Sequence, residues 1–293
     1  TMPRIVLAEF NTHRVFSRNS ASSRAIPFEK QLLRIMDEPF LPIYWGVNQP
    51  GMQAYAELTK AEQVMARRQW KLALDLAILS LVPLAGGVNA LKDKSLQRRL
   101  RARYKKYDPY ETGLFGTPLP RGVHKQTISR PLEAYMWHTV IVTATEWDNF
   151  WALRINKNAQ PEIRRAAELM KQAYDASTPQ RLRQGQWHMP LIQPDEQEWA
   201  VFNADEAFKV SVGRCARVSY LTHDGIRDHS KDIELYEQLT SAGHMSPLEH
   251  VARPMSRKEF AIAPFSGNFR GWHQYRKDIP NEDNFAKVLE QAA

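Results

Sequence analysis

Helical periodicity in four stretches and strand-like apolar runs in two others predict an α+β chain. The helical signals are residues 28–36, Glu57–Leu81, about 161–176 and about Lys231–Ala242. In the second, Leu58, Ala61, Met65, Leu72, Leu76 and Leu79 recur at three- and four-residue intervals. In the third, Ile163, Ala166, Ala167, Met170 and Tyr174 share one face, and Pro161 suits a first turn, where its missing N–H costs nothing. The strand-like runs are Pro3–Phe10 and Phe208–Tyr220. Pro39, Pro42, Gly46, Pro50 and Gly51 mark an irregular segment, and Gly86–Gly122 reads as an excursion from the fold. Gly122–Phe150 resumes the apolar rhythm, and Ser177–Glu198 reads as a linker. The expected division is therefore a first unit over 1–176 with a basic insertion at about 86–121, a linker over 177–205, and a second unit over 206–293.

The 293 residues suffice for one large domain or two ordinary ones, and the 43% hydrophobic content is that of a globular protein. The most apolar run, Leu72–Leu84, carries Asp75 and Pro83, so no membrane span is expected. No signal-peptide pattern opens the chain, although it starts so near its first motif that a preceding segment is left open. Cys215 is the only cysteine, which points to a reducing cytoplasm. The net charge of +8 is concentrated: Lys92, Lys94, Arg98, Arg99, Arg101, Arg103, Lys105 and Lys106 stand against Asp93 alone. Such a segment reads as a solvated helix face ahead of a nucleic-acid contact.

Residues 12–24, Thr-His-Arg-Val-Phe-Ser-Arg-Asn-Ser-Ala-Ser-Ser-Arg, hold one His, three Arg, one Asn, one Thr and four Ser against three apolar side chains. That is too polar for a core strand, and its donors suit oxyanions and a carbonyl-rimmed heterocycle. A second segment, Gly243-His244-Met245-Ser246-Pro247-Leu248-Glu249-His250, sets two imidazoles and a carboxylate beside a Pro. Zinc would want three or four convergent ligands, and no Cys pair or H-x-x-x-H helix accompanies it, so no metal is expected.

The first run resembles the signature of the flavin-dependent thymidylate synthases, R-H-R-x-x-S-x-N-E-x-S-x-R, with Thr12 for the first Arg and Ser20 for the Glu. The second is similar to that family's H-G-H-x-[ST]-P-x-E-H, with Ala242 for the first His. Arg214-Cys215-Ala216-Arg217-Val218-Ser219-Tyr220 looks like its A-A-R-V-S-[FY] strand, and Asn149-Phe150, Leu153-Arg154 and Ala159–Ile163 look like its N-F-x-x-L-R-x-x-x-x-A-Q-x-E-I. The order is rearranged, since the strand and His244 elements follow the first motif. Beyond them, Asn268–Lys277 with Pro280-Asn281-Glu282 resembles a worn second copy of the R-H-R signature, so the chain reads as two incomplete family-like units.

The resemblance implies an α+β fold, a mixed sheet packed with long helices, in two incomplete thymidylate-synthase-complementing-like units. It implies FAD-dependent methylation of dUMP at C5 to dTMP, with methylenetetrahydrofolate and NADPH as co-substrates. Arg154 would stabilise the N3-deprotonated uracil and lead catalysis with Ser22. Ser20, Ala21, Ser22, Ser23, Arg24, Arg130 and Arg154 would bind the nucleotide, with Arg130 on the phosphate. His13, Arg14, Asn19, Asn149, Ser219, His244, Ser246 and Glu249 would contact the flavin. Thr12 and Ser20 depart from the pattern, so a pyrimidine 5-hydroxymethyltransferase acting on dUMP or dCMP stays open. So does a non-catalytic nucleic-acid-binding relative using Lys92–Lys106. The family assembles as a homotetramer, and two units in one chain suggest a dimer or tetramer, in the cytoplasm and without a membrane.

Overall fold

A computed structural model describes residues 1–20, 22–23, 26–105, 118–218 and 227–284. Along the chain, strand β1 (Met2–Pro3) leads through a 3-10 turn into helix α1 (Leu7–Phe10), then strand β2 (Ser17–Ser20). Helices α2 (Phe28–Asp37), α3 (Lys60–Leu84), α4 (Lys94–Tyr104) and α5 (Lys125–Ile128) follow. Strands β3 (Trp137–His138) and β4 (Val140–Thr143) precede α6 (Asp148–Arg154) and α7 (Pro161–Ala176). Next come α8 (Gln197–Phe202), α9 (Ala204–Arg217), α10 (His229–Ser241), strand β5 (Ala252–Pro254) and α11 (Arg257–Ile262). Strands β6 (Phe265–Ser266), β7 (Phe269–Arg270) and β8 (Trp272–Gln274) complete the series.

The fold is mixed α and β. Instead of a mixed sheet, the described strands form four antiparallel pairs, β1 with β3, β2 with β4, β5 with β8 and β6 with β7. The chain divides into two interleaved units, one from Thr1–Phe10, Ser22–His138 and Ile155–Ala166, the other from Asn11–Ala21, Thr139–Arg154 and Ala167–Ala293. No helix among the described residues is long and apolar enough to cross a membrane.

The first unit is built on α2, α3 and α4. Leu32 and Ile35, Leu74 and Ile78, and Leu96 and Leu100 supply one apolar cluster at helical spacing. Helix α3 starts at a reciprocal cap: Thr59 Oγ1 accepts from the Glu62 amide and Glu62 accepts from the Thr59 amide. Glu29 accepts from the amides of Lys92 and Asp93, and Asp93 caps α4 through the Ser95 and Leu96 amides. The expected excursion over 86–121 is thereby corrected in its described part. Its apolar residues Leu96, Leu100 and Tyr104 are core, and the polar residues between them made the stretch look peripheral.

In the second unit α9 and α10 pack so closely that a Cβ on Gly213 would stand 2.3 Å from the Asp232 carbonyl oxygen. Only glycine fits there, because the neighbour is backbone and cannot yield. The Phe208–Tyr220 strand is corrected to helix as far as Arg217. Its β-branched Val210 and Val212 suggested a strand, whereas Ala207, Val210, Ser211 and Arg214 are all buried at helical intervals. Pro3–Phe10 is extended only at Met2–Pro3, and beyond it Val6 and Phe10 are buried one helical turn apart. The expected linker is packed from Trp187 onward, where Trp187, Met189 and Ile192 join the apolar clusters and His188 makes a β-bridge with Ala252, while 177–186 is almost wholly exposed.

Candidate functional site

Within the second unit the first motif and the Asn149–Arg154 segment meet. Arg154 ends α6, where a cation complements the helix dipole. Its Nε donates to His13 Nε2 at 2.9 Å and its Nη2 donates to Thr12 Oγ1 at 3.1 Å. The bond from an arginine to Nε2 requires a neutral imidazole with its proton on Nδ1. The surroundings agree: burial first, then the charges of Arg154 and Arg18, push the His13 pKa down. The ring is held edge-on to Phe150, centroids 4.9 Å apart, and lies near Phe16 at 5.6 Å. Thr12 thus supplies a hydroxyl acceptor to Arg154 where an arginine would set two guanidinium groups face to face.

Strand β2 carries the motif onward and packs against the Ser246–His250 turn. Asn19 Nδ2 donates to the Cys215 carbonyl at 2.7 Å, and Ser20 lies opposite Val140 in the β2–β4 register. Gln274 Nε2 donates to Ser17 Oγ (3.1 Å) and Asn268 Oδ1 (3.0 Å), and Ser17 Oγ donates to Asn268 Oδ1 (3.1 Å). Asn268 Nδ2 donates to the Val15 carbonyl at 2.9 Å. Glu249 is held by Arg276 Nη1 at 2.6 Å, and Arg276 Nε also reaches Glu282 at 2.7 Å. Arg14, Asn149, His244 and Ser246 are exposed. Ser219, with Tyr220, lies outside the described residues.

The nucleotide-type residues Ser22, Ser23 and Arg130 belong to the first unit, and Ala21 and Arg24 lie outside the described residues. The Ser22 carbonyl accepts from the Ile26 amide. Ser23 Oγ donates to Glu133 at 2.6 Å, and Arg130 and Arg4 pair with the same carboxylate oxygen at 3.0 and 3.1 Å. A phosphate on Arg130 would therefore share that guanidinium with Glu133.

Four polar residues of these networks are given no site role by the motifs. Glu133 and Arg4 organise Ser23 and Arg130, and Asn268 and Gln274 fasten β2. The signal for the last two was present in the worn second copy. Nothing in the local pattern singles out Glu133 or Arg4. Among the described residues no group of three or more His, Cys, Asp or Glu side chains is placed to hold a metal ion.

Two buried histidines set a pH response. His138 is pushed down to about 4, by burial first and then by Arg4, whose Nη1 lies 3.0 Å from its Nδ1. His250 is pushed down to about 3 by burial and then by His188, and its Nδ1 lies 2.8 Å from Thr143 Oγ1. In the unfolded chain both titrate near ~6.5. As pH falls below that value the unfolded state takes up protons that the folded state refuses, and stability drops until the folded values are reached. The melting temperature is expected to fall between pH 6.5 and 4, with a shallower fall in His250→Gln. An equal slope in parent and variant would remove His250 from this role.

Comparison with protein-family models, curated proteins and solved structures found no match to this chain.

Proposed function

We propose that this chain is a flavin-dependent thymidylate-synthase-like transferase that methylates dUMP at C5 to dTMP, using methylenetetrahydrofolate and NADPH. The observation that carries the reading is the Arg154–His13 hydrogen bond. It joins two motif elements 141 residues apart, one matched to the uracil-activating arginine and the other to a flavin contact. The donor chemistry of Arg14, Asn149, His244 and Ser246 suits the phosphates and ring carbonyls of a flavin. FAD, when bound, would supply the redox chemistry. The chain's own part is electrostatic: Arg154 holds positive charge for the N3-deprotonated ring, and neutral His13 orients its guanidinium without competing for the negative charge. Ser20, Ala21, Ser22, Ser23, Arg24 and Arg130 are assigned to the nucleotide.

Thr12 favours a second reading. Its exposed hydroxyl beside Arg154 can hold a water, and water meeting the transferred methylene would yield a 5-hydroxymethyl pyrimidine from dUMP or dCMP. The test is the mass of the nucleotide formed with methylenetetrahydrofolate, FAD and NADPH supplied. A methyl-sized gain on dUMP is the expected result. A hydroxymethyl-sized gain would establish the second reading, and no reaction with either nucleotide would overturn both.

A further inference from the structure

The basic segment has an organisation that nucleotide chemistry does not use. Helix α4 buries Leu96, Gln97, Leu100 and Tyr104 on one side. On the other, Lys94, Arg98, Arg101 and Lys105 are exposed at spacings of four, three and four residues, which is one continuous line along the helix and its C-cap. At 1.5 Å per residue the line is about 16 Å long. The neighbouring cations are neutralised, Arg99 by Asp37 and Arg103 by Asp75. Among the described residues Arg101 bonds the neutral amide of Asn89, and no carboxylate pairs with Lys94, Arg98 or Lys105. The helix sorts its charges, placing the paired ones on the flanks and the unpaired ones on the crest.

We propose that this crest binds the phosphate backbone of duplex DNA without reading its sequence. Four cations on a straight, rigid line complement an anion that presents one charge per about 1.7 Å of axis. Among the described residues, the crest and its solvent-facing neighbours, Ser95 and Ala102, present no aromatic side chain on which unstacked bases could stack. A duplex backbone is the nucleic-acid form that such a surface fits. The inference stands apart from the methylation reading, since α4 carries none of the residues assigned to it.

The experiment is fluorescence anisotropy of the full chain with a labelled 20-base-pair duplex DNA at salt from 50 to 200 mM. Its single strand and vesicles containing phosphatidylserine run in parallel. Four phosphate contacts predict a log–log salt slope near about −3.6, roughly a 150-fold loss of affinity over that range. Changing Lys94, Arg98, Arg101 and Lys105 together to Gln is expected to abolish this binding. Changing Arg181, Arg183, Arg257 and Lys258 to Gln, an equal loss of exposed charge in the second unit, should preserve it. Single substitutions along the crest, each lowering the slope by about 0.9, cover the case in which the fourfold variant does not fold. No duplex binding at 50 mM, equal weakening by both fourfold variants, or preference for single strands or vesicles would overturn the proposal.

Discussion

Under the proposed transferase function, Arg154→Ala is expected to lower dUMP turnover by about 10²–10³-fold while leaving the fold intact, the scale for losing one preorganised charge donor from a reacting centre. Two bonds fix the Arg154 guanidinium, Nε on His13 and Nη2 on Thr12, so its direction is set before substrate arrives. Arg154→Lys keeps the charge but lacks the planar fork that directs separate nitrogens at His13 and Thr12, and it should recover only part of the rate. The alanine variant also removes a positive neighbour that pushes the His13 pKa down, so that pKa should rise while burial keeps it below the usual value. Turnover, flavin absorbance and histidine NMR titration separate the three effects. Full activity in Arg154→Ala would refute the catalytic assignment.

The largest stability effect is expected at Arg214. This buried side chain reaches both Glu196 oxygens (2.6 and 2.8 Å), Asp232 Oδ2 (3.1 Å) and the Leu191 carbonyl (2.9 Å). Glu196 also accepts from His229 at 3.0 Å, and its pKa is held far below the usual range, with the Arg214 hydrogen bonds the leading cause. Asp232 is fully buried, and desolvation pushes its pKa up although Arg217 lies 2.8 Å from its second oxygen. Arg214→Leu would leave the buried Asp232 carboxyl with one arginine in place of two and Glu196 without its main partner, and removing one partner of a buried pair costs about 3–5 kcal/mol. It would also free the Leu191 carbonyl, whose residue sits at φ 66°, a left-handed conformation that a leucine holds only under constraint. Urea unfolding measures the change, and a loss under about 1 kcal/mol would show that the cluster contributes no net stability.

Long amphipathic helices were legible in the sequence because burial on one face writes a period into the residues. Phe28–Asp37 and Pro161–Ala176 lie within a residue of their expected bounds, and Lys60–Leu84 and His229–Ser241 within three. Ala204–Arg217 was not legible. A helix buried on nearly all sides loses its polar face, and its valines then read as a strand. Motif matching singled out His13 and Arg154 separately, and the hydrogen bond between them was not legible in it. Glu133 was invisible because its partners Arg4 and Ser23 are brought to it only by the tertiary fold.

The clasp on β2 imposes a timetable. Ser17 is held by Asn268 and Gln274, which are synthesised 251 and 257 residues later. At roughly 5–20 residues per second, the strand waits on the order of 13–50 s on the ribosome for the side chains that fasten it. Every segment of the first unit is made once residue 166 is added, so that unit can close while the second is still incomplete. During that interval β2 can pair with β4 but lacks its side-chain clasp, and the serines and arginines of that stretch keep it hydrated until Asn268 and Gln274 arrive.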